Sequence, residues 1–288
     1  MSDWIAAIIQ GVVEGLTEFL PVSSTAHILI AQELLGLDRS DSFWKMFAVF
    51  IQLGAILAVV AYFWSRILGF VGSFASALRA PHEPNAKRQS IWLSHPLPLV
   101  LISFVVTAIP AFLMDKLVGD FLEGSFTMIG LALLIGGIAM YAVDRWYGNR
   151  SHTETLDQVT LRQAVAIGLA QILAAAFPGT SRSMATIAGG QVMGLSRSAA
   201  LEFSFFLSIP VMFAAATFKL LQHLRKEVFP TSEQWIALSC GFATSFLVAL
   251  IVIAWFMHWV RKHGFTPFAI YRIIAGIVLI VWDRQMRG

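Results

Sequence analysis

Pro178-Gly179-Thr180-Ser181-Arg182-Ser183 interrupts the apolar stretch 163–195, and Pro21-Val22-Ser23-Ser24-Thr25 interrupts another at 4–37. The halves on either side of each break are short and polar, whereas a membrane-spanning helix needs about 20 mostly apolar residues. Irregular backbone at membrane depth survives only where protein covers it or where it lines a wet cavity. Both segments therefore read as re-entrant helix–loop–helix hairpins.

The surrounding composition demands a membrane setting. The 288 residues are 57% hydrophobic and 13% charged, against about 45–50% and about 25% in a typical soluble domain. This excludes a disordered chain, a nucleic-acid module and an ordinary soluble enzyme. The net charge of +3 and pI near 9.2 are read as Lys and Arg in loops beside an anionic leaflet, not as a nucleic-acid surface. Cys240 is the single cysteine, so neither a disulfide framework nor a thiolate metal site is available. Met1-Ser2-Asp3 has no basic run, and Glu14 and Glu18 lie in the apolar segment behind it, so no cleavable signal is expected.

Six further stretches are expected to cross the membrane: 43–64, 97–115, 126–143, 200–221, 235–259 and 267–282. Residues 65–95, 144–162, 196–199 and 260–266 read as loops on one side. The two broken segments also resemble each other. With Glu14 on Gln171, Pro21 falls on Pro178 and Ser23-Ser24 on Thr180-Ser181. After a one-residue slip, Leu35-Gly36-Leu37 falls on Met193-Gly194-Leu195. The chain thus reads as one all-α polytopic membrane domain, 1–288, made of two repeats at about 1–143 and about 160–288. Three crossings in the first unit insert the second upside down, giving an inverted-topology repeat whose broken helices meet near the midplane. Ten Lys and Arg fall on the loop side named above, among them Lys87 and Arg88. Eight fall on the other side, among them Arg225 and Lys226. The positive-inside rule then places both termini outside.

Ionisable groups inside membrane segments are costly and functional by default, and here they gather at the breaks. Glu14 and Glu18 share one helix face; two hard oxygen donors suit Mg²⁺ or Ca²⁺, with substrate phosphate completing the shell. Ser23, Ser24 and Thr25 with His27 form a nucleophile-and-base set. Either His27 attacks phosphorus or it deprotonates Ser24 or a water. In the second break Arg182 offers a planar donor fork for phosphate. Gly179, Thr180, Ser181, Ser183 and Thr186 provide close backbone approach and hydroxyls, and the following helix adds its N-terminal dipole. No Gly-Lys-Ser/Thr is present, so a nucleotide triphosphatase is not indicated. Arg272, inside the last span, either lines the cavity as a phosphate ligand or serves the structure. The Phe-rich stretch 203–206 is read as lipid-facing or packing surface.

The stretch Glu14-Gly15-Leu16-Thr17-Glu18-Phe19-Leu20-Pro21-Val22-Ser23-Ser24-Thr25 with His27 resembles the N-terminal signature of the bacterial undecaprenyl-diphosphatase family, the bacitracin-resistance phosphatases. Pro178-Gly179-Thr180-Ser181-Arg182-Ser183 with Thr186 is similar to that family's second signature, and Pro267-Phe268-Ala269-Ile270-Tyr271-Arg272 to its C-terminal stretch. Ala26 and Met184 stand where the family usually or often has glycine; Met184 is expected to narrow the loop. The resemblance implies hydrolysis of undecaprenyl diphosphate to the monophosphate and inorganic phosphate, recycling the lipid carrier of cell-wall synthesis and conferring bacitracin resistance. It also implies dependence on a divalent cation and an active site reached from the outer side of the bacterial cytoplasmic membrane. The polyprenyl diphosphate and the bilayer are the expected partners, with a homodimer as the expected assembly and no nucleic acid. Inverted repeats with broken helices are also the build of transporters and flippases of anionic substrates. His27 with the glutamate pair discriminates, because transport needs charge complementarity but no nucleophile.

Overall fold

Apolar residues outnumber what a single core can hide, so the chain must fold as helices that share their surplus with lipid. The computed structural model describes residues 2–79, 91–118, 125–224 and 230–287. Glu83, Lys87, Arg88, Arg225 and Lys226 lie outside the described residues. The described chain is helical throughout: α1 (Asp3–Thr17), α2 (Ser24–Leu34), α3 (Ser42–Tyr62), α4 (Trp64–Arg79), α5 (Pro96–Val118), α6 (Phe126–Tyr147), α7 (Leu161–Ala176), α8 (Arg182–Val192), α9 (Arg197–Leu224), α10 (Ser232–His263) and α11 (Thr266–Arg287). Six of these, α3, α5, α6, α9, α10 and α11, are long and apolar enough to cross a membrane, at the places the hydrophobic stretches predict. Their outward faces carry exposed Leu101, Ile109, Ile135, Ile251, Ile274 and Val278, as lipid contact requires.

The longest departure from expectation lies between α3 and α5. Residues 65–78, read as loop, form the body of α4. The helix is amphipathic, with Phe70 buried and Trp64, Leu68, Val71 and Leu78 exposed. Its 16 residues and two interior glycines keep it below any threshold set for a span.

The broken segments are helical pairs of 15 and 11 residues and of 16 and 11 residues. Their backbones agree in detail. Ser23 (φ 75°) precedes α2 and Ser181 (φ 72°) precedes α8; Gly36 (φ 65°) and Gly194 (φ 85°) follow them. This moves the register at the break by one residue: Ser23 corresponds to Ser181 and Ser24 to Arg182, with the slip inside the loop at Gly179. The first helices keep the sequence-based register, since the buried Ala6, Ala7, Gly11 and Glu14 match the buried Gln163, Ala164, Gly168 and Gln171. A serine with left-handed backbone costs about 1–2 kcal/mol. Here it turns the chain sharply enough to present the next side chain, Ser24 or Arg182, toward the other break.

Each short first helix packs on a long helix from the other half of the chain: α1 on α10 and α7 on α5. The approach is close, because a Cβ on Gly15 would stand 2.8 Å from the Ser245 carbonyl, and one on Gly168 2.7 Å from that of Ser103. Helices α6 and α11 pair likewise, and each ends on an aspartate that caps the other's start. Asp144 Oδ2 accepts from the Phe265 amide at 3.1 Å and the Thr266 hydroxyl at 3.0 Å. Asp283 Oδ2 accepts from the amide and hydroxyl of Thr127. These carboxylates satisfy helix-start donors that have no partner within their own helix. The Phe-rich stretch packs rather than facing lipid: Phe203, Phe205 and Phe206 are buried, with Phe205 edge-on to Phe19 beside the first break.

Candidate active site

Glu14 and Glu18 sit one turn apart at the end of α1, both buried, and their side chains interact. Ser24 opens α2, and its hydroxyl donates to Glu18 Oε2. Arg182 opens α8 and reaches the other oxygen: Nη2 donates to Glu18 Oε1 at 3.1 Å. One carboxylate therefore takes a hydroxyl from its own break and a guanidinium from the other, which brings Ser24 and Arg182 around a common point. A buried charge is tolerable only when paired in this way. Arg182 also donates from Nη1 to the Ser204 carbonyl at 3.3 Å and lies over the Phe19 ring at 5.9 Å. Its Nε is buried without a partner.

The hydroxyls of the second break make hydrogen bonds within the fold. Ser183 donates to the Leu20 carbonyl at 2.9 Å, joining the two breaks directly. Thr186 bonds the Ser204 hydroxyl at 2.7 Å and donates to the Arg182 carbonyl. Ser181 caps α8 by accepting from the Met184 amide. Gly179 is buried and Thr180 half-buried, while in the first break Ser23 is buried and Thr25 exposed. The Met184 side chain is buried in the core, near Gly136 of α6.

Arg272 is fully buried; its Nη donors go to backbone, and its Nε is buried without a partner. Nη1 donates to the Pro21 carbonyl at 3.1 Å. Nη2 donates to Thr180 at 2.9 Å, to Ala132 at 3.2 Å and to Gly179 at 3.3 Å. Arg272, which the sequence offers as a cavity ligand or a structural residue, thus ties backbone carbonyls of both breaks together. Gly136 makes the room, since a Cβ there would collide with the guanidinium. His27 is not bonded to Ser24. Its Nδ1 lies 2.7 Å from the Ser23 carbonyl and its Nε2 2.6 Å from the Tyr271 hydroxyl.

Whether these residues suit a divalent cation can be tested on the donors themselves. Glu14 Oε1 is a buried oxygen with no hydrogen-bond partner, as a metal ligand awaiting its ion would be. Among the described residues no three His, Cys, Asp or Glu side chains converge on one point. Two carboxylates suit a hard cation whose remaining ligands come from water and substrate phosphate. Sequence reasoning missed Ser204 and Tyr271. Tyr271 stands beside Arg272 in a stretch already singled out, but Ser204 gave no signal, being one hydroxyl in a Phe-rich helix.

Residues 7–278 match the family described as bacitracin resistance protein BacA. The chain is 50% identical to the undecaprenyl-diphosphatase of Koribacter versatilis, over 98% of this chain and 99% of that one. It is 44% identical to the undecaprenyl-diphosphatase of Novosphingobium aromaticivorans, over 98% of each. It is 37% identical to that of Aquifex aeolicus, over 96% and 97%.

Proposed function

The chain belongs to the bacitracin resistance protein BacA family, and from that premise we propose that it is an undecaprenyl-diphosphatase. It hydrolyses undecaprenyl diphosphate to undecaprenyl phosphate and inorganic phosphate, which recycles the lipid carrier of cell-wall synthesis and confers bacitracin resistance. The observation that carries the mechanism is the carboxylate of Glu18 held between the Ser24 hydroxyl and the Arg182 guanidinium.

In this reading Ser24 Oγ attacks the terminal phosphorus and its proton passes to Glu18. The new O–P bond replaces the bond to the bridging oxygen, and undecaprenyl phosphate leaves. Water then displaces Ser24 from phosphorus as His27 Nε2 takes the water's proton, Ser24 regains its proton from Glu18, and inorganic phosphate departs. Arg182 binds the transferring phosphoryl oxygens as charge develops on them, a positioning and electrostatic role suited to its fork. Thr25 and Thr180 stand at the break for phosphate contact, while Ser23, Gly179, Ser181, Ser183, Thr186 and Arg272 hold the two loops in register. Glu14 and Glu18 would hold Mg²⁺ or Ca²⁺, which would neutralise charge on the diphosphate when bound.

The same reading includes the topology. Hairpins α1–α2 and α7–α8 are re-entrant, and the two halves are inverted repeats meeting at the site. The support is the shared backbone at Ser23 and Ser181, the swapped packing of α1 on α10 and α7 on α5, and the reciprocal Asp144 and Asp283 caps. The protein lies in the bacterial cytoplasmic membrane with the site and both termini toward the outer face, as the charge balance of the loops suggests.

The test is phosphate release from undecaprenyl diphosphate by purified protein in detergent, where no second compartment exists. Wild type should turn over with Mg²⁺ or Ca²⁺ and stop in EDTA; Ser24→Ala should be inactive. Absence of release by the wild type would end the enzymatic reading, and full activity in EDTA would end the metal. For topology, Ser24→Cys/Arg182→Cys in a Cys240→Ser background should crosslink with a short reagent. Single cysteines at residues 2 and 286 should both label from outside; labelling from opposite faces would rule out the inverted repeat.

A further inference from the structure

His27 belongs to the first break but bonds to neither Ser24 nor Glu18, so something else must set its direction. Both ring nitrogens are engaged. Nδ1 lies 2.7 Å from the Ser23 carbonyl oxygen, an acceptor only, so this nitrogen carries the proton. In the neutral ring Nε2 is then a lone pair, and the Tyr271 hydroxyl 2.6 Å away is its donor. The two rings also stack, with planes 16° apart and centroids 5.7 Å apart.

Neither contact is free to drift. The Ser23 carbonyl is aimed by a residue in left-handed backbone, φ 75°. Tyr271 precedes Arg272, whose guanidinium is fastened to the carbonyls of Pro21, Ala132, Gly179 and Thr180. One turn of α11 therefore grips the backbone of both breaks with one side chain and the imidazole with its neighbour. We propose that Tyr271 is a positioning residue for this reaction, holding His27 in the Nδ1–H tautomer with its ring set against the first break. This rests on the reading that His27 acts in the hydrolysis. Loss of the outer partner of a metal-bound imidazole costs about 10–100-fold in activity, and that scale is taken for His27.

Tyr271→Phe keeps the ring stack and removes only the hydroxyl. We expect kcat for undecaprenyl diphosphate to fall about 10–100-fold while KM moves by less than about twofold and thermal stability in detergent is unchanged. In a His27→Ala background the same substitution should produce no further loss, because a positioning residue has nothing left to position. Nitrogen NMR of labelled histidine should show one tautomer for His27 in the wild type and a mixture in Tyr271→Phe. Wild-type kcat in Tyr271→Phe, with His27→Ala inactive, would overturn the proposal and leave the hydrolytic reading intact. An equal loss from Tyr271→Phe with and without His27 would also overturn it, since Tyr271 would then act by itself. Full turnover by His27→Ala would instead remove the reading on which the proposal rests.

Discussion

The loop that joins α1 to α2 and the loop that joins α7 to α8 have the same build and opposite chemistry. Each follows a short helix through a proline, turns on a serine at positive φ and presents one side chain from the start of the next helix. In the first that side chain is Ser24, in the second Arg182. Glu14 is matched by Gln171, Glu18 by Ala175, and His27 by Ala185. Two copies of the first loop would bring four carboxylates together, and two copies of the second would bring two guanidiniums; either would be repulsive in a low-dielectric site. The unlike pair instead satisfies itself at Glu18, with a carboxylate and a hydroxyl from one half and a cation from the other. The residue left over is Gln171. It is buried with both amide atoms unpartnered, where its counterpart Glu14 keeps one free oxygen.

That division of labour can be attacked at four points. The largest effect should come from Glu18→Gln, which removes the acceptor shared by Ser24 and Arg182. We expect a fall of about 10⁴-fold in kcat, with Ser24→Ala no worse and the double variant little different, as for residues that act as one unit. Additive losses in the double variant would show two independent functions rather than one junction. Next is Arg182→Lys. A point charge replaces a fork, and turnover should drop about 100-fold or more, the scale of a lost transition-state donor. Turnover within twofold of wild type would make Arg182 a counter-ion only.

Smaller effects test the frame around the loops. Gly136→Ala forces a Cβ against the Arg272 guanidinium and to 2.9 Å from Met184 Cε. Such overpacking costs about 1–3 kcal/mol, to be read as a lower unfolding temperature in detergent. An unchanged melting curve would mean that the staple has slack. The least effect is expected from Gln171→Leu. Removing an amide whose atoms have no partners should change stability by no more than about 1 kcal/mol and leave phosphate release within twofold. Glu14→Gln, at the matching place, should lower it far more, though less than Glu18→Gln does. Loss of activity in Gln171→Leu would break the comparison, because the second half would then carry chemistry of its own at that position.

Composition and hydrophobic run length sufficed for the membrane class and the six long helices, since lipid imposes a minimum span that can be counted along the chain. The same counting marked the two breaks, as proline with a run of hydroxyls cannot continue an apolar helix cheaply. It also flagged Glu14, Glu18, Ser24, His27 and Arg182, because ionisable and nucleophilic side chains are conspicuous in apolar surroundings. Helix α4 escaped because amphipathic helices of its length give no span signal.

What linear order could not supply was the pairing. Ser24 donates to Glu18 rather than facing His27, His27 turns to Tyr271 across 244 positions, and Arg272 spends its two Nη groups on four backbone carbonyls. The positive φ shared by Ser23 and Ser181 is a backbone dihedral that similar residue types do not reveal. The two long-range pairings, His27 with Tyr271 and Arg272 with the loop carbonyls, come with the packing of α11 on α6 and of α6 on α8. Hydrogen-bond partners are chosen by distances of about 3 Å and by direction, and only the assembled bundle sets those between residues so far apart in the chain.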